Sequence, residues 1–278
     1  MNYGFVTIYR RDMKRFFRFK TQLFSSLIQP ALWLAFFGVA MSGNFDRLGA
    51  LMPVVPGVEA IGYLTFMAAG VIAMTTLFTS LFGGFILLFD KNWGLMREMM
   101  ASPIPRRDII IGIALSGMTK AWIQATIIIL FGLFLGVDFF NGYSLVQTVS
   151  AYAGILLFVG MFAVGFLCLS ATIALSMESP EGFQGITTLL TMPLFFVSNA
   201  LYPTTAFPKI MQDLAALNPL TYLITGIRHF AIGNDFMAIG IHFQITQTEV
   251  ISAFIALLIF TSVMFAIAQR TVQKVVIT

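Results

Sequence analysis

The chain has 278 residues, of which 58% are hydrophobic and 10% charged, and its mean hydropathy is +0.90. Soluble globular chains carry about 25% charged residues, so this one lacks the polar surface to meet water on all sides. That composition excludes a soluble enzyme, a nucleic-acid module and a disordered regulator. The net charge of +4 does not point to nucleic acid either, because the basic residues gather in three short segments beside apolar stretches, as they do in proteins whose orientation is set by the bilayer. Membrane lipids are the expected surroundings.

From the N-terminus, Phe5, Tyr9, Met13, Phe16 and Phe17 share one helical face, with Arg11, Lys14, Arg15 and Arg18 largely on the other. Residues 1–20 are predicted to form an amphipathic helix in the cytoplasmic interface, or simply the positive anchor of the first span. A cleaved signal is not expected, since twenty residues precede the apolar run and Ala40-Met41-Ser42 is a poor cleavage site. Charge-free gaps of 25 residues (Lys20 to Asp46) and 30 (Glu59 to Asp90) follow. The next gaps are 29 (Asp108 to Asp138, broken only by Lys120), 39 (Asp138 to Glu178), 27 (Glu181 to Lys209) and 20 (Glu249 to Arg270). A crossing helix needs about 20 apolar residues. Six spans are therefore predicted, over 21–42, 61–89, 109–136, 146–177, 184–202 and 249–269, in one all-α integral membrane domain over 1–278.

The segment preceding the first span, the connector 90–108 and the C-terminal end hold 12 of the 16 lysines and arginines. Both termini are thus predicted to be cytoplasmic. On the opposite side, 203–248 is predicted to carry two short re-entrant helices. One runs from Pro208 to Leu217; the other has Asn218 as cap, Pro219 at its first position and Gly233 as its stop.

No GxxxxGK[ST] phosphate loop and no GxSxG elbow occur. His229 and His242 lack metal-ligand spacing, and Cys168 stands alone in an apolar run. No catalytic residue, metal or cofactor is expected on this chain. Lys120 is the one strong intramembrane charge; without an acidic partner in its span, it reads as an intramembrane polar site or as a lysine snorkelling to the headgroups. Pro193 should kink the fifth span, Gly160, Gly165, Gly182 and Gly185 should permit close helix approach, and Phe195 and Phe196 are candidates for an apolar route.

Two segments carry a family resemblance. The connector reads NWGLMREMMASPIPRRDIIIG from Asn92, an amphipathic stretch offering Trp93, Met96, Met99 and Met100 for docking. It resembles the cytoplasmic connector of type-two ABC exporter permeases, in particular the daunorubicin-resistance and nodulation-factor branch, with Gly94, Arg97, Glu98 and Pro103 matching. The second segment, TMPLFFVSNALYPTTAFPKIMQDLAALNPLTYLITGIRHF from Thr191, is similar to that family's fifth span and external helices. Asn199 stands where glycine is common, and Thr225 where aspartate is common, which leaves Arg228 without its usual close acidic neighbour.

The resemblance implies the membrane subunit of an ATP-binding-cassette exporter for an amphipathic, lipid-linked or drug-like cargo, sited in the cytoplasmic membrane. ATP and Mg would sit on a separate ATP-binding subunit, in two copies, docking against Trp93, Gly94, Met96, Arg97, Glu98 and Met99. A second copy of this chain, or a similar permease, would complete the pathway. Pro193, Phe195, Phe196, Ser198, Asn199 and Tyr222 are the expected substrate path or gate. The alternatives are an ion-coupled secondary transporter, which calls for paired charges within the membrane, and an energy-independent lipid scramblase, which leaves the Gly94–Pro103 pattern without a purpose.

Overall fold

Away from water each backbone N–H and C=O must find its partner within the segment, so long apolar runs become helices. The computed structural model describes residues 4–52 and 55–274, so the first three residues of the predicted interface helix lie outside the described residues. α1 (Gly4–Arg18) is followed by α2 (Lys20–Leu32), a π-helix (Trp33–Gly38) and α3 (Val39–Ala50), which continue one another. Pro30 lies inside α2, where it removes a backbone hydrogen bond, and the wider π turn follows directly after it. α4 (Tyr63–Asn92), α5 (Leu95–Ala101), α6 (Arg106–Phe134), α7 (Leu145–Ser176) and α8 (Pro180–Phe196) come next. α9 (Lys209–Leu217), α10 (Pro219–Ala231) and α11 (Gln247–Lys274) complete the helices discussed below.

Among the described residues, five helical stretches are long and apolar enough to cross a membrane: Ser26–Ala50, α4, α6, α7 and α11. The segment predicted as a fifth of six spans is shorter than expected. α8 has 17 residues, about 26 Å at 1.5 Å per residue, because the chain leaves the helix three residues after Pro193 and turns at Val197–Ala200.

Local signals fix the ends of several helices. Ser144 and Gln147 form a reciprocal capping box on α7. Ser179 caps α8 ahead of Pro180, and Asn218, the expected cap, precedes Pro219 at the start of α10. The start of α4 is capped from another element, the Tyr63 N–H donating to Asp46 Oδ1 of α3 at 2.7 Å.

α4 is the central helix. It packs along α7 and α6 and touches α10, α8 and the α2–α3 stretch, while α11 lies on the far side of α7. Close approach is built mainly on glycines that the sequence does not single out. A Cβ at Gly84 would lie 2.6 Å from the Ser170 carbonyl oxygen, and Ser170 Oγ donates across the same crossing to Leu81 O at 2.7 Å. Of the four glycines expected to serve this purpose, Gly160 meets Trp122 and Met118, and Gly165 meets Phe260. Gly182 faces its own cap, and Gly185 has nothing within 4 Å.

α1 lies along α6, close enough that a Cβ at Gly112 would meet Phe5 O at 2.7 Å. The stripe it buries against its neighbours is Gly4, Ile8 and Asp12, while Phe17 is exposed. Glycine allows close contact with Ile104 at Gly4, and Asp12 finds an ionic partner in Lys120.

The end of the bundle opposite α5 carries a small sheet that hydropathy does not announce. β2 (Asp235–Ala238) and β3 (Ile241–Gln244) form a hairpin, and β1 (Glu59–Ala60) adds parallel to β2. Ile239 and Gly240 both have positive φ, 54° and 71°, as a two-residue hairpin turn requires. Phe236 and Phe243 stack across the pair with ring centroids 5.3 Å apart.

Gly84→Val should lower stability by about 1–3 kcal/mol through overpacking at the α4–α7 crossing. Gly185→Ala should be neutral or raise stability by up to about 1 kcal/mol from helix propensity. Thermal unfolding of the two purified variants in one detergent checks both.

Candidate functional site

Three features stand out: the junction at the foot of α4, a buried ion pair beneath α1, and a pocket between α2, α4 and α8.

At the junction, Gly94 in the left-handed region (φ 80°) turns the chain from α4 into α5. The three residues ending α4 each hold a different neighbour. Asp90, 1% exposed, accepts from Arg11 Nη2 at 2.9 Å and Arg15 Nη1 at 2.6 Å. Lys91 Nζ donates to the carbonyls of Leu175 (2.9 Å) and Met177 (2.8 Å), where a cation suits the negative end of α7. Asn92 Nδ2 donates to Glu178 O at 3.0 Å. α5 is thereby tied to α1 on one side and to the α7–α8 connector on the other.

The predicted docking residues divide by burial. Trp93 is 67% exposed and packs at a tilt on Phe89, ring centroids 5.0 Å apart, and Arg97 and Glu98 face outward. Met96 is fully buried against the cluster that includes Ile8, Leu87 and Ile109. It anchors α5 from behind and presents no docking surface. Met99 is half-buried and receives an N–H from Arg11 Nη1 at 2.9 Å.

Lys120 has the acidic partner that its own span lacks. Its Nζ lies 3.3 Å from Asp12 Oδ2, and Ser116 Oγ donates to the same oxygen at 2.8 Å. Both side chains of the pair are nearly buried, and Lys120 reaches from α6 to the interface helix α1. Burial pushes the Asp12 carboxyl up, but Lys120, the Ser116 hydroxyl and Arg11 outweigh it and hold the group below its ordinary range. The polar seam continues inward through Gln124, which donates to Ser26 Oγ at 2.7 Å and touches the Thr79 hydroxyl. The partner was missed because Asp12 sits among cations on an amphipathic helix; its i+4 spacing from Ile8 was the available signal.

The pocket has a volume of about 290 Å³. One wall is aromatic, with Phe78, Phe82 and Phe85 of α4 beside Trp33. The other is the α8 face bearing Gln184, Thr187, Thr188 and Thr191. Of the predicted path residues only Phe195 and Phe196 line it. Pro193 is on α8 but outside the lining, and Ser198 closes a turn, donating to Phe195 O at 2.7 Å. Asn199 gives its carbonyl to Arg228, and the Tyr222 hydroxyl bonds Ala216 O. The residues missed at i, i+3, i+4 and i+7 from Gln184 form a polar stripe within an apolar segment, which is a readable pattern.

Five long apolar helices and an amphipathic helix docked beneath them define a multi-pass helical membrane protein. The model of the ABC-2 type transporter family matches residues 3–232, and the chain belongs to that family. It is 27% identical over 258 residues to the putative transport permease ycf38 of Cyanophora paradoxa, covering 92% of this chain and 84% of that one. It is 25% identical to nodulation protein J of Rhizobium leguminosarum bv. viciae, over 75% of this chain and 78% of that protein. It is 23% identical to the inner membrane transport permease YadH of Escherichia coli K12, over 96% and 94%. The chain is a membrane subunit of the permease type.

Removing either member of a buried pair strands the other charge, at a cost of about 3–5 kcal/mol. Asp12→Ala and Lys120→Met should each lose stability on that scale, and the double variant should recover more than half of it, as a double-mutant cycle in detergent would show. Because the folded carboxyl titrates below its ordinary value, the pair's contribution is complete above that value. It is lost as pH falls through the lower folded one. Acid should therefore destabilise the wild type more than the double variant.

Proposed function

We propose that this chain is the membrane-spanning subunit of an exporter driven by ATP hydrolysed on a separate subunit, with ATP and Mg held there and none on this chain. The observation that carries the reading is α5: a seven-residue helix turned outward by Gly94, presenting Trp93, Arg97 and Glu98, and fixed from behind by Met96. These three, with Gly94 and the edge of Met99, are the proposed contact for the ATP-binding subunit. Movement of α5 is passed to α4 directly, to α1 through Asp90, and to the α7–α8 connector through Lys91 and Asn92. ATP shifts the membrane conformation only by as much as it favours one state over the other.

In this reading both termini are cytoplasmic and the protein lies in the cytoplasmic membrane. α8 with the turn after it serves as a crossing, making six. Two copies, or this chain and a similar one, complete a route lined by the first, second and α8 segments. The cargo is amphipathic, lipid-linked or drug-like; it passes Phe195 and Phe196, with Pro193, Ser198, Asn199 and Tyr222 shaping the turn at the outer end. The relatives named as transport permeases support the transport class.

A second reading, an ion-coupled transporter, draws on the buried Asp12–Lys120 pair. The two separate in one experiment on membranes containing the chain and the ATP-binding subunit that co-purifies with it. Glu98→Ala and Trp93→Ala should each weaken co-purification and cargo-stimulated ATP hydrolysis by about tenfold or more, equivalent to ~1.4 kcal/mol, with insertion and thermal stability unchanged. Undiminished coupling in both variants would remove α5 from its assigned role. Transport that stops on collapse of the ion gradient and ignores ATP would favour the second reading.

A further inference from the structure

The α2–α4–α8 pocket carries a chemical selectivity in its lining. None of the described lining residues is ionisable. The polar wall is also asymmetric in what it offers. Thr187 Oγ1 donates to Phe183 O and Gln184 O at 3.0 Å, and Thr191 Oγ1 donates to Thr187 O at 2.6 Å. The hydrogens of these two hydroxyls are committed to the helix backbone and their lone pairs remain. Gln184 Nε2 donates to Thr188 Oγ1 at 3.3 Å, which leaves the Gln184 amide oxygen as a further acceptor. Thr188 keeps its own hydroxyl hydrogen and Gln29 adds a second amide to the lining, so the polar groups offer several acceptors together with a few donors, and aromatic rings face them across the cavity.

We propose that this pocket binds an uncharged amphiphile whose head carries hydrogen-bond donors, hydroxyl or amide groups, with its apolar body against the aromatic rings of α4. A phosphate head is disfavoured because it brings a charge into a cavity whose described lining holds no countercharge. At about 290 Å³ the cavity lies near the lower end of ligand-pocket sizes, roughly 300 Å³ and upward, which fits a single head and a short stretch of chain. The inference rests on the reading of the α8 face as part of the cargo route and specifies the cargo class that face selects.

The test uses the full chain in phosphatidylcholine nanodiscs with two photoreactive probes, a diazirine-bearing octyl glucoside and the matching octyl phosphate, both below micelle-forming concentration. Labelled peptides are mapped by mass spectrometry and normalised to labelling of the exposed α11 face at Ile251 and Ile255. The glucoside should label the pocket walls about tenfold more than the phosphate, the scale expected from one or two net hydrogen bonds. Gln184→Leu combined with Thr188→Val should abolish most of that preference, and Thr188→Lys should transfer it to the phosphate. Both positions are exposed in the chain, so the variants should fold. Equal labelling by the two probes, no labelling of the pocket by the glucoside, or a preference unmoved in both variants overturns the proposal. Neither ATP nor transport enters the measurement. A failure here therefore leaves the ATP-driven reading standing, and a failure of the Glu98 and Trp93 variants leaves this one standing.

Discussion

A helix surrounded by other helices along its length can satisfy its backbone internally, but its two ends cannot be satisfied the same way. α4 is in this position, with 72% of its most apolar window buried, and the rest of the fold is arranged around holding its ends. At one end Asp46 reaches across from α3 to accept the Tyr63 N–H. At the other, Asp90 is buried and held by two arginines from α1. Between them the hydroxyls of Thr75, Thr76, Thr79 and Ser80 all turn back to carbonyls on their own helix. The middle of α4 therefore returns these hydroxyls to its own backbone, with Thr79 also meeting Gln124 of α6.

Placing the charges at the foot of α4 has a mechanical result. An exposed ion pair contributes little and breaks easily, whereas a buried carboxylate with two guanidinium donors is strongly destabilised if either side withdraws. Asp90 sits three residues before the Trp93–Gly94 turn, and its neighbours Lys91 and Asn92 grip the α7–α8 connector. α5 is thus rooted at a point where three separate parts of the chain converge. The pocket between α2, α4 and α8 is bounded by two of the elements that meet at this root.

Membrane character, helical class and most span positions were legible because uninterrupted apolar length is a one-dimensional signal. The helix cap at Asn218 was equally local. Pairings between distant segments were not. Lys120 looks solitary in sequence because its partner, Asp12, is 108 residues away on a helix whose charges read as an interfacial anchor. The shorter α8 was obscured because the turn after Phe196 carries no charge, so the charge-free gap runs on where the helix stops. The β2–β3 hairpin escaped because its strands have four residues each and its turn uses Ile239-Gly240 in place of a common turn pair. Around α5, Trp93 was readable from composition and Arg97 and Glu98 from the resemblance, but Met96 was not separable from them until the packing of Ile8 and Ile109 placed it inside.

Arg228 shows a different solution to burying a cation. It is 2% exposed, and its Nη2 donates to the carbonyls of Asn199 at 2.7 Å and Phe66 at 3.2 Å, while the guanidinium lies 3.6 Å from the Phe66 ring centre. Thr225 stands one turn before Arg228 on α10, and no carboxylate takes part in these contacts. Backbone carbonyls and a phenyl ring carry no titratable proton. The fastening between α10, α4 and the turn after α8 should keep its grip while the acidity of its surroundings varies, unlike the Asp12–Lys120 pair at the other end of the molecule. The two ends of the bundle thus differ in kind: one is held by partners that acid can discharge, the other by partners that it cannot.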